Sequence, residues 1–431
     1  MFWTQFAGAF NDNLYKNGLV ILVGFSTTGA FGMAPEQLVA LSTAIFMLPF
    51  FLFSAHGGQL ADKHEKSAMI RYIKAAEIAI MCFGCLAFFS QSVPLLLAVL
   101  FLMGTQSTLF GPVKYSILPE LLDDRDLVGG NAFVEMATYL AILGGTIAGG
   151  LLVALKIGDH QIGPALVGVS VVIMAIVGWL VSRNIVFCQP KTPDLKFRWN
   201  PVIPTWQIVR LTAKNRSVFL AIVGITWFWA LGAVLLSLFP TFTKDLLHGN
   251  ETVATLFLAA FSLGIGLGSI ACERLSKRRL ELGLVVWGTI GMTVFALDLW
   301  WMGTPWTMSE ETELLSVSGF FDQGWPAVRI MVDLIGISAA GGLYIVPLYT
   351  LIQQRSAGTE RSRVIAGNNI INAAFMVLAA ALLMVLQAYA VAISTFFLMI
   401  AVVNTLVAAC IFGLDSEYLL RFRARVLRIP E

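Results

Sequence analysis

The chain has 431 residues, of which 58% are apolar and only 13% are charged, and its formal net charge is +2. A soluble domain is about 45–50% apolar and about 25% charged, so the composition excludes an ordinary soluble protein. The near-neutral charge gives no sign of a nucleic-acid partner. Apolar runs of about 20 residues, each long enough to cross about 30 Å of hydrocarbon, recur along the chain and predict a helical membrane protein.

Twelve membrane spans are predicted, in two groups of six. They lie near residues 3–27, 37–61, 67–91, 94–119, 128–155, 164–187, 216–241, 252–273, 282–301, 326–352, 364–389 and 391–414. Six spans, a linker rich in proline and basic residues, and six more spans are typical of the major facilitator superfamily fold. We therefore predict an all-α membrane protein of this fold, with an N-terminal six-helix bundle (1–190), a cytoplasmic linker with an interfacial helix (191–215), a C-terminal six-helix bundle (216–414) and a basic cytoplasmic tail (415–431).

The first span contains the densest polar cluster of the chain, in the stretch AFNDNLYKNG. Asp12 is expected about 13–14 Å along this helix, close to the bilayer midplane. A charge there costs a few kcal/mol unless it is paired or faces water. Asp12 and Lys16 are four residues apart and can pair on one helix face. Asn13 lies on an adjacent strip of the helix. Either the pair is structural, or this face lines a cavity and binds a polar ligand group; the position in a first helix favours the cavity.

Between the second and third spans lies the loop GGQLADKHEK. It resembles the facilitator loop G-x-x-x-D-[RK]-x-x-x-[RK], with Gly58, Asp62, Lys63 and Lys66 in its positions and the last basic residue one position early. Glycine permits close helix contact, and aspartate can cap the amino terminus of a neighbouring helix, where the dipole favours an anion. The loop therefore predicts a gate on the cytoplasmic side, with a simple polar turn as the alternative.

The region around the fourth and fifth spans is repeated around the tenth and eleventh. Pro112, Gly130, Asn131 and Glu135 correspond to Pro347, Gly367, Asn368 and Asn372. Such repetition favours two related bundles around a central cavity. Asn131 and Glu135 are four residues apart, as are Asn368 and Asn372, so each pair shares a helix face at membrane depth. Lys114, at the end of the fourth span, either turns inward or snorkels to water.

Two further pairs of opposite charge occur within the spans. Lys74 and Glu77 lie in the third span and are expected to form a structural ion pair. Arg329 and Asp333 are four residues apart near the outer end of the tenth span, and are expected to pair and support an outer gate.

The distribution of basic residues predicts the orientation of the chain. One side of the membrane receives the loop after the second span, the linker, the stretch RLSKRR and the basic tail. The opposite loops keep only Lys156 and Lys244, and the longest of them, MGTPWTMSEETELLSVSGFFDQGW, has no lysine or arginine. By the positive-inside rule both termini are expected in the cytoplasm.

Several chemistries lack their motifs in this sequence. There is no G-x-x-x-x-G-K-[ST] loop for nucleotide binding, no histidine has the aspartate five residues on that glycerolipid acyltransferases use, and the four histidines are scattered. We therefore expect no enzymatic activity, no cofactor and no metal, and a chain that moves its substrate.

The stretches FGPVKYSILPELL and LVGGNAFVEMATYLAILGGTIAGG resemble the bacterial lysophospholipid transporter (LplT) family, with support from YIVPLYTLIQQR and AGNNIIN in the second half. AFNDNLYKNGLVIL and FGMAPEQL are most similar to members fused ahead of an acyltransferase/acyl-carrier-protein synthetase. One departure is the stretch TWFWALGAVLLSLF, which lacks the basic residue that stand-alone members place in the seventh span.

The resemblance implies a flippase that brings lysophospholipids, chiefly lyso-phosphatidylethanolamine, from the outer to the inner leaflet of the bacterial inner membrane, where an acyltransferase, fused or separate, reacylates them. A monomer among membrane lipids is expected. In this hypothesis Asp12 and Glu135 face the ammonium and Lys114 faces the phosphate. The neutral hydrogen-bond partners are Asn13, Asn131, Asn368 and Asn372, with Lys16 on the same face as Asp12.

Two other functions are compatible with the residues. A proton-coupled exporter of drugs or small amphipathic solutes would use Asp12 or Glu135 as the proton carrier, because a carboxylate in a cavity serves both purposes. A membrane anchor or scaffold for an acyltransferase is the third possibility, although an anchor has no need of polar residues at the midplane.

Overall fold

The computed structural model describes residues 1–24, 35–157, 160–303, 314–389 and 391–427. Its helices in chain order are α1 (Phe2–Gly24), α2 (Pro35–Lys63), α3 (Lys66–Ser90), α4 (Val93–Ser116), α5 (Leu118–Leu121), α6 (Leu127–Val153), α7 (Gly163–Ser182), α8 (Val202–Thr212), α9 (Arg216–Thr241), α10 (Glu251–Ser276), α11 (Gly283–Met302), α12 (Val317–Asp322), α13 (Trp325–Arg355), α14 (Arg361–Ala388), α15 (Ile393–Leu414) and α16 (Glu417–Leu427). Two short antiparallel strands, β1 (Lys156–Ile157) and β2 (His160–Gln161), lie between α6 and α7. The first half of FGMAPEQL and residues 304–313 of the long outer loop lie outside the described residues.

Eleven helices of the described chain are long and apolar enough to cross a membrane. Helix α1 has 23 residues and a comparable length, but its polar cluster lowers its hydropathy. In hydrocarbon every backbone N–H and C=O must be satisfied within the chain, so apolar runs of this length fold as helices. With α1 included, a long helix stands at each of the twelve predicted spans.

Contacts divide the chain into two compact units. Unit 1 comprises Met1–Asp123, Leu140–Lys214 and Ser356–Ala373; unit 2 comprises Asp124–Tyr139, Asn215–Arg355 and Ala374–Glu431. Two helices, α6 and α14, therefore contribute one part to each unit. These units differ from the two bundles predicted from the sequence, and the predicted bundle boundaries stay a prediction. Helix α8 lies in the segment of the linker for which an interfacial helix was predicted.

In unit 1, α1 packs closely on the second half of α6. A Cβ on Gly145 would overlap the carbonyl oxygen of Phe10, and a Cβ on Gly149 would lie 2.8 Å from the carbonyl oxygen of Leu14. Small residues at such spacing let membrane helices approach backbone to backbone. Leu14 and Tyr15 of α1, both 0% exposed, belong to the apolar core of the unit.

In unit 2 the closest packing joins α10 to α13. A Cβ on Gly268 would overlap the carbonyl oxygen of Ala339, and a Cβ on Gly342 would lie 2.6 Å from the carbonyl oxygen of Ile265. Backbone atoms cannot give way as a flexible side chain does, so these positions require glycine if the two helices are to keep their distance.

Replacing Gly268 by alanine is expected to lower the stability of the protein by about 3 kcal/mol, the upper end of the usual range for overpacking, because the obstructing atom belongs to the backbone. The matched control is Gly413→Ala in α15, where a Cβ would meet nothing within 4 Å. Alanine is the better helix former by about 1 kcal/mol, so this control should be neutral or stabilising. Thermal unfolding of both variants in detergent provides the comparison, and equal midpoints would contradict the packing argument.

The end of the chain is held to unit 2 by charged contacts. Arg355 of α13 donates to both carboxylate oxygens of Glu417 at 2.7 and 2.8 Å, and Arg421 donates to the carbonyl oxygen of Leu280 at 2.8 Å. Burial raises the pKa of Glu417, but the bonds from Arg355 and Arg421 outweigh it and hold the pKa below its ordinary value. At least one arginine of the predicted basic tail, Arg421, therefore forms its contacts within the protein.

Candidate functional site

A polar strip runs along one face of α1. Asp12, Asn13, Lys16 and Asn17 are half-exposed, whereas Asn11, Leu14 and Tyr15 on the other faces are buried. Asp12 lies ten residues into a 23-residue helix, which is about 15 Å from its start and close to its middle. The helix therefore carries an acid, a base and two amides, each partly exposed, near its middle.

The neighbours of the strip belong to several helices. Ser107 of α4 donates to Asp12 Oδ2 at 2.7 Å, and Lys16 Nζ lies 5.8 Å from the ring centre of Phe46 on α2. Asn17 Nδ2 donates to the carbonyl oxygen of Thr146 at 2.6 Å, and Asn13 Nδ2 to that of Ala9 at 2.7 Å. The glycine contacts of α6 fix the rotation of α1 that exposes this face.

The ion pair between Asp12 and Lys16, which was the alternative to a ligand-binding face, is not formed in this structure, which describes both residues. The two side chains are adjacent on the helix, but the carboxylate is engaged by the Ser107 hydroxyl on another helix. A neutral donor leaves the acid and the base each half-exposed and able to meet separate groups of a ligand.

A buried charge network lies directly behind the strip. Lys74 Nζ donates to Glu77 Oε2 at 2.6 Å, and these side chains are 1% and 2% exposed. Asn11 Nδ2 donates to Glu77 Oε1 at 3.0 Å, and Gln106 Nε2 to Oε2 at 2.9 Å. The ion pair predicted from the sequence is present, and three donors satisfy its carboxylate, as burial of a charge requires.

This network reaches the polar strip through α4. Gln106, which donates to Glu77, has its Oε1 3.2 Å from the Ser107 hydroxyl that donates to Asp12. The carboxylate of Asp12 therefore sits at the end of a continuous run of polar contacts. Such runs fix the position of the terminal group because each member is held by the next.

Lys114 stands on the same side of α4 as Ser107, seven residues further along, or about 10 Å by helix rise. Its Nζ lies 4.5 Å from the ring centre of Tyr115, and the side chain is half-buried. The start of α14 approaches the same stretch, because a Cβ on Gly111 would lie 2.6 Å from Asn369 Nδ2. Asn368 is 0% exposed and Asn372 7% exposed, so the predicted asparagine pair of α14 is buried here.

In unit 2 the predicted residues of α6 are buried. Asn131 Nδ2 donates to Gln353 Oε1 at 2.6 Å and to Thr350 Oγ1 at 3.1 Å, and Gln353 Nε2 donates back to Asn131 Oδ1 at 3.0 Å. Glu135 is 0% exposed, one turn further on. In this conformation Asn131 therefore holds α6 to α13, and a contact between either residue and a ligand needs a rearrangement.

An aromatic cluster adjoins Glu135 one turn along α6. The Tyr139 ring stacks on Trp229 with centroids 6.0 Å apart, and Trp229 Nε1 donates to the Tyr349 hydroxyl at 3.0 Å. Trp227 on the other side of α9 donates to Asn404 Oδ1 at 2.8 Å. Each indole N–H is thus bonded within the protein, as half-buried tryptophans usually are.

The loop after α2 closes against the amino terminus of α14, within unit 1. Asp62 is 0% exposed; its Oδ1 accepts from the Ser362 backbone N–H at 3.1 Å and its Oδ2 from Arg363 Nε at 2.9 Å. A Cβ on Gly58 would lie 2.7 Å from the Ala366 Cβ. Glycine thus allows the approach of the two helices, and the carboxylate caps the positive end of α14.

The two lysines of the loop behave differently. Lys66 forms a buried ion pair with Glu120 of α5, and Lys63 is half-buried at the end of α2. Glu65 caps α3 by accepting from the backbone N–H of Ser67 at 2.8 Å, and also accepts from that of Cys188 at 2.9 Å. Burial raises the pKa of Glu65, but these bonds outweigh it and hold the pKa below its ordinary value.

The predicted partner of Arg329 was wrong. Arg329 Nε donates to Asp298 Oδ2 at 2.8 Å, and a second guanidinium nitrogen donates to Oδ1. Asp333 is 2% exposed beside them, and no Arg329–Asp333 ion pair occurs among the described residues. The reason is helix packing, since α11 brings Asp298 against Arg329, and the two groups bind in the strong bidentate geometry of arginine and carboxylate.

Several residues of the polar and aromatic clusters described above in the two units are absent from the sequence predictions. These are Gln106, Ser107, Tyr139, Asp298 and Tyr349. A serine or glutamine in an apolar run carries little signal alone; the pair Gln106–Ser107 at the middle of the fourth span was the available indication, because both are polar at membrane depth.

The sequence profile described as Major Facilitator Superfamily matches residues 1–325 of this chain. This is more than half of the chain, so the protein belongs to the Major Facilitator Superfamily. The relatives include the lysophospholipid transporters LplT of Yersinia pestis (strain Pestoides F) and Yersinia pseudotuberculosis serotype O:3 (strain YPIII). Each is 26% identical over 378 residues, covering 85% of this chain and 79% of the relative. The predicted resemblance to that family is confirmed.

Solved structures with the same fold include a bacterial homologue of the iron transporter ferroportin in the outward-facing state, at 15% identity and TM-score 0.65, covering 97% of this chain and 100% of that chain. The proton:xylose symporter XylE is 12% identical with TM-score 0.73, covering 96% and 94%. At these identities the likeness shows the fold alone. It confirms the predicted fold class: the protein is a multi-pass, all-α membrane protein with the fold of facilitator transporters.

Proposed function

We propose that this protein transports lysophospholipids, chiefly lyso-phosphatidylethanolamine, from the outer to the inner leaflet of a bacterial inner membrane by alternating access. Both termini then lie in the cytoplasm, and an acyltransferase, fused or separate, uses the product. The observation that carries the proposal is the half-exposed polar strip of α1, with Asp12 at the middle of the helix. The names of the relatives support the substrate class.

The headgroup of the substrate matches the charges of the site. In the proposal Asp12 accepts from the ammonium and Lys114 binds the phosphate, while Asn13 and Lys16 complete the polar face. Bonds of this kind are charge-assisted and are strengthened by a low dielectric, so they offset the hydration that the headgroup loses. The buried residues Asn131, Glu135, Asn368 and Asn372 would join only after the rearrangement that alternating access implies.

The Asp62 contact suggests how that rearrangement is controlled. Asp62 holds the first turn of α14 by its backbone and through Arg363. Separating the loop after α2 from α14 would break both the helix cap by Asp62 and its charge-assisted bond with Arg363. In the proposal, ligand contacts on the polar strip compensate for this loss, since a ligand shifts an equilibrium only by its differential affinity for the two states.

Reconstitution into liposomes tests the proposal. Labelled lyso-phosphatidylethanolamine should cross faster than in protein-free liposomes, whereas lyso-phosphatidylcholine should cross more slowly by about tenfold or more. The reason is that a trimethylammonium cannot donate to Asp12, and a hydrogen bond to a charged group is worth about 1.5–3 kcal/mol. Equal rates for both lipids would remove Asp12 from headgroup recognition, and a protein-free rate for both would end the flippase proposal.

A proton-coupled exporter remains the second candidate, favoured by the hydrogen bonds that connect Asp12 through Ser107 and Gln106 to Glu77. A carboxylate so placed could also take up a proton. The same liposomes separate the two functions, because an exporter would require a pH gradient and the proposed flippase would not.

A further inference from the structure

A basic cavity lies beside the linker helix α8, away from the polar strip of α1. It has a volume of about 860 Å³, and its lining includes five basic side chains and one acidic side chain, Glu360. Lys214 Nζ is 3.8 Å from Glu360, and Arg363 is bonded to Asp62. The other three bases are Lys196, Arg198 and Arg210, and they form no ion pair with any residue in the described ranges. Uncompensated positive charge around a cavity of this size favours an anionic ligand.

The faces of α8 indicate where that ligand comes from. Its buried side packs Ile208 against Ala55 of α2 and Ala366 of α14. A second face exposes Val202 and Trp206, at 72% and 70%. Apolar and tryptophan side chains on the exposed face of a short helix are typical of a helix lying in a membrane interface.

We propose that this cavity binds the phosphodiester headgroup of an acidic phospholipid from the leaflet that borders α8. The apolar face of α8 would lie among the acyl chains, and Arg198 and Arg210, which line the cavity, would contact the phosphate. In the orientation proposed above this is the inner leaflet, but the site does not depend on which substrate the protein carries.

The ligand would act on the gate through Arg363. This guanidinium lines the cavity and is 21% exposed, and it donates Nε to Asp62 at 2.9 Å and a terminal nitrogen to the carbonyl oxygen of Thr359 at 2.8 Å. Five N–H donors are available on an arginine, so an anion in the cavity can bind the same group. The phosphate then competes with Asp62 for Arg363 and loosens the cap on the first turn of α14.

Lipid binding is measured first, by native mass spectrometry of the full chain with equal amounts of phosphatidylglycerol and phosphatidylcholine. The wild type should retain phosphatidylglycerol preferentially. The double variant R198Q/R210Q should retain it about 25-fold less, at about fivefold for each charge. The control R274Q/R279Q removes two exposed arginines outside the cavity and should stay within about twofold. Unchanged retention in R198Q/R210Q, or an equal loss in the control, would overturn the site.

Coupling to the gate is measured by hydrogen exchange at the Ser362 amide, which donates to Asp62. Exchange should be faster in nanodiscs with phosphatidylglycerol than in phosphatidylcholine alone, and R198Q/R210Q should lose this difference. If the lipid does not change the exchange rate of the wild type, the link through Arg363 is refuted. If inorganic phosphate at the same concentration accelerates exchange in phosphatidylcholine nanodiscs, the occupant is free phosphate and the assignment to lipid fails.

Discussion

Replacing Asp12 by asparagine is expected to lower transport of lyso-phosphatidylethanolamine by about tenfold to a hundredfold while leaving the protein folded. Asparagine keeps the size of the side chain and can still accept from Ser107, so only the charge is lost. A hydrogen bond to a charged group is worth about 1.5–3 kcal/mol, which corresponds to this range. Initial rates in liposomes, normalised to reconstituted protein, provide the measurement.

Two control variants distinguish charge from structure in this experiment. Asp245→Asn makes the same chemical change at an exposed position outside the polar strip and should leave transport unaltered. Ser107→Ala removes the hydrogen bond to Asp12 but keeps the charge, so its effect should be the smaller one. Wild-type transport by Asp12→Asn would show that the carboxylate does not bind the headgroup.

Replacing Glu77 by alanine is expected to destabilise the protein by about 3–5 kcal/mol, because a buried lysine is left without its counter-charge. Lys74 and Glu77 are almost fully buried, and Asn11 and Gln106 also depend on the same carboxylate. The thermal unfolding midpoint and the yield of folded protein in detergent should both fall.

The matched control for this prediction is Asp126→Ala, which breaks the exposed ion pair with Arg278 and should cost less than about 1 kcal/mol. The double variant K74M/E77M removes both buried charges and should recover most of the stability, although two amides then lose an acceptor. If E77A unfolds no earlier than the Asp126 variant, the network behind α1 does not hold the unit together.

Much of the fold could be predicted because membrane helices are determined locally. An apolar run of about 20 residues can satisfy its backbone in hydrocarbon only as a helix, so the sequence alone located the long helices. The polar residues of α1 could also be identified from the sequence, since a charge at the bilayer midplane is costly and therefore indicates a structural or functional role. A close helix contact at Gly58 and a helix cap by Asp62 were also predicted, but only the structure identified α14 as the helix concerned.

Partner choice was decided only by the tertiary structure. From the sequence, Lys16 was a possible ion-pair partner of Asp12, and Asp333 was the predicted partner of Arg329, because residues four apart share a helix face. The folded chain instead supplies Ser107 and Asp298 from other helices. Spacing defines which residues can meet within one helix, whereas contacts between helices depend on glycine positions and rotations that a single sequence does not display.

The sequence by itself thus determined that this is a multi-pass helical membrane protein with ionisable groups at mid-depth in its first helix. The tertiary structure decided which of the predicted polar residues are accessible: Asp12 and Lys16 of α1 are partly exposed, whereas Asn131 and Glu135 of α6 are buried in unit 2. The physical reason is that helix formation depends on hydropathy along the chain, but exposure depends on which face each neighbour covers, and side-chain packing fixes that face.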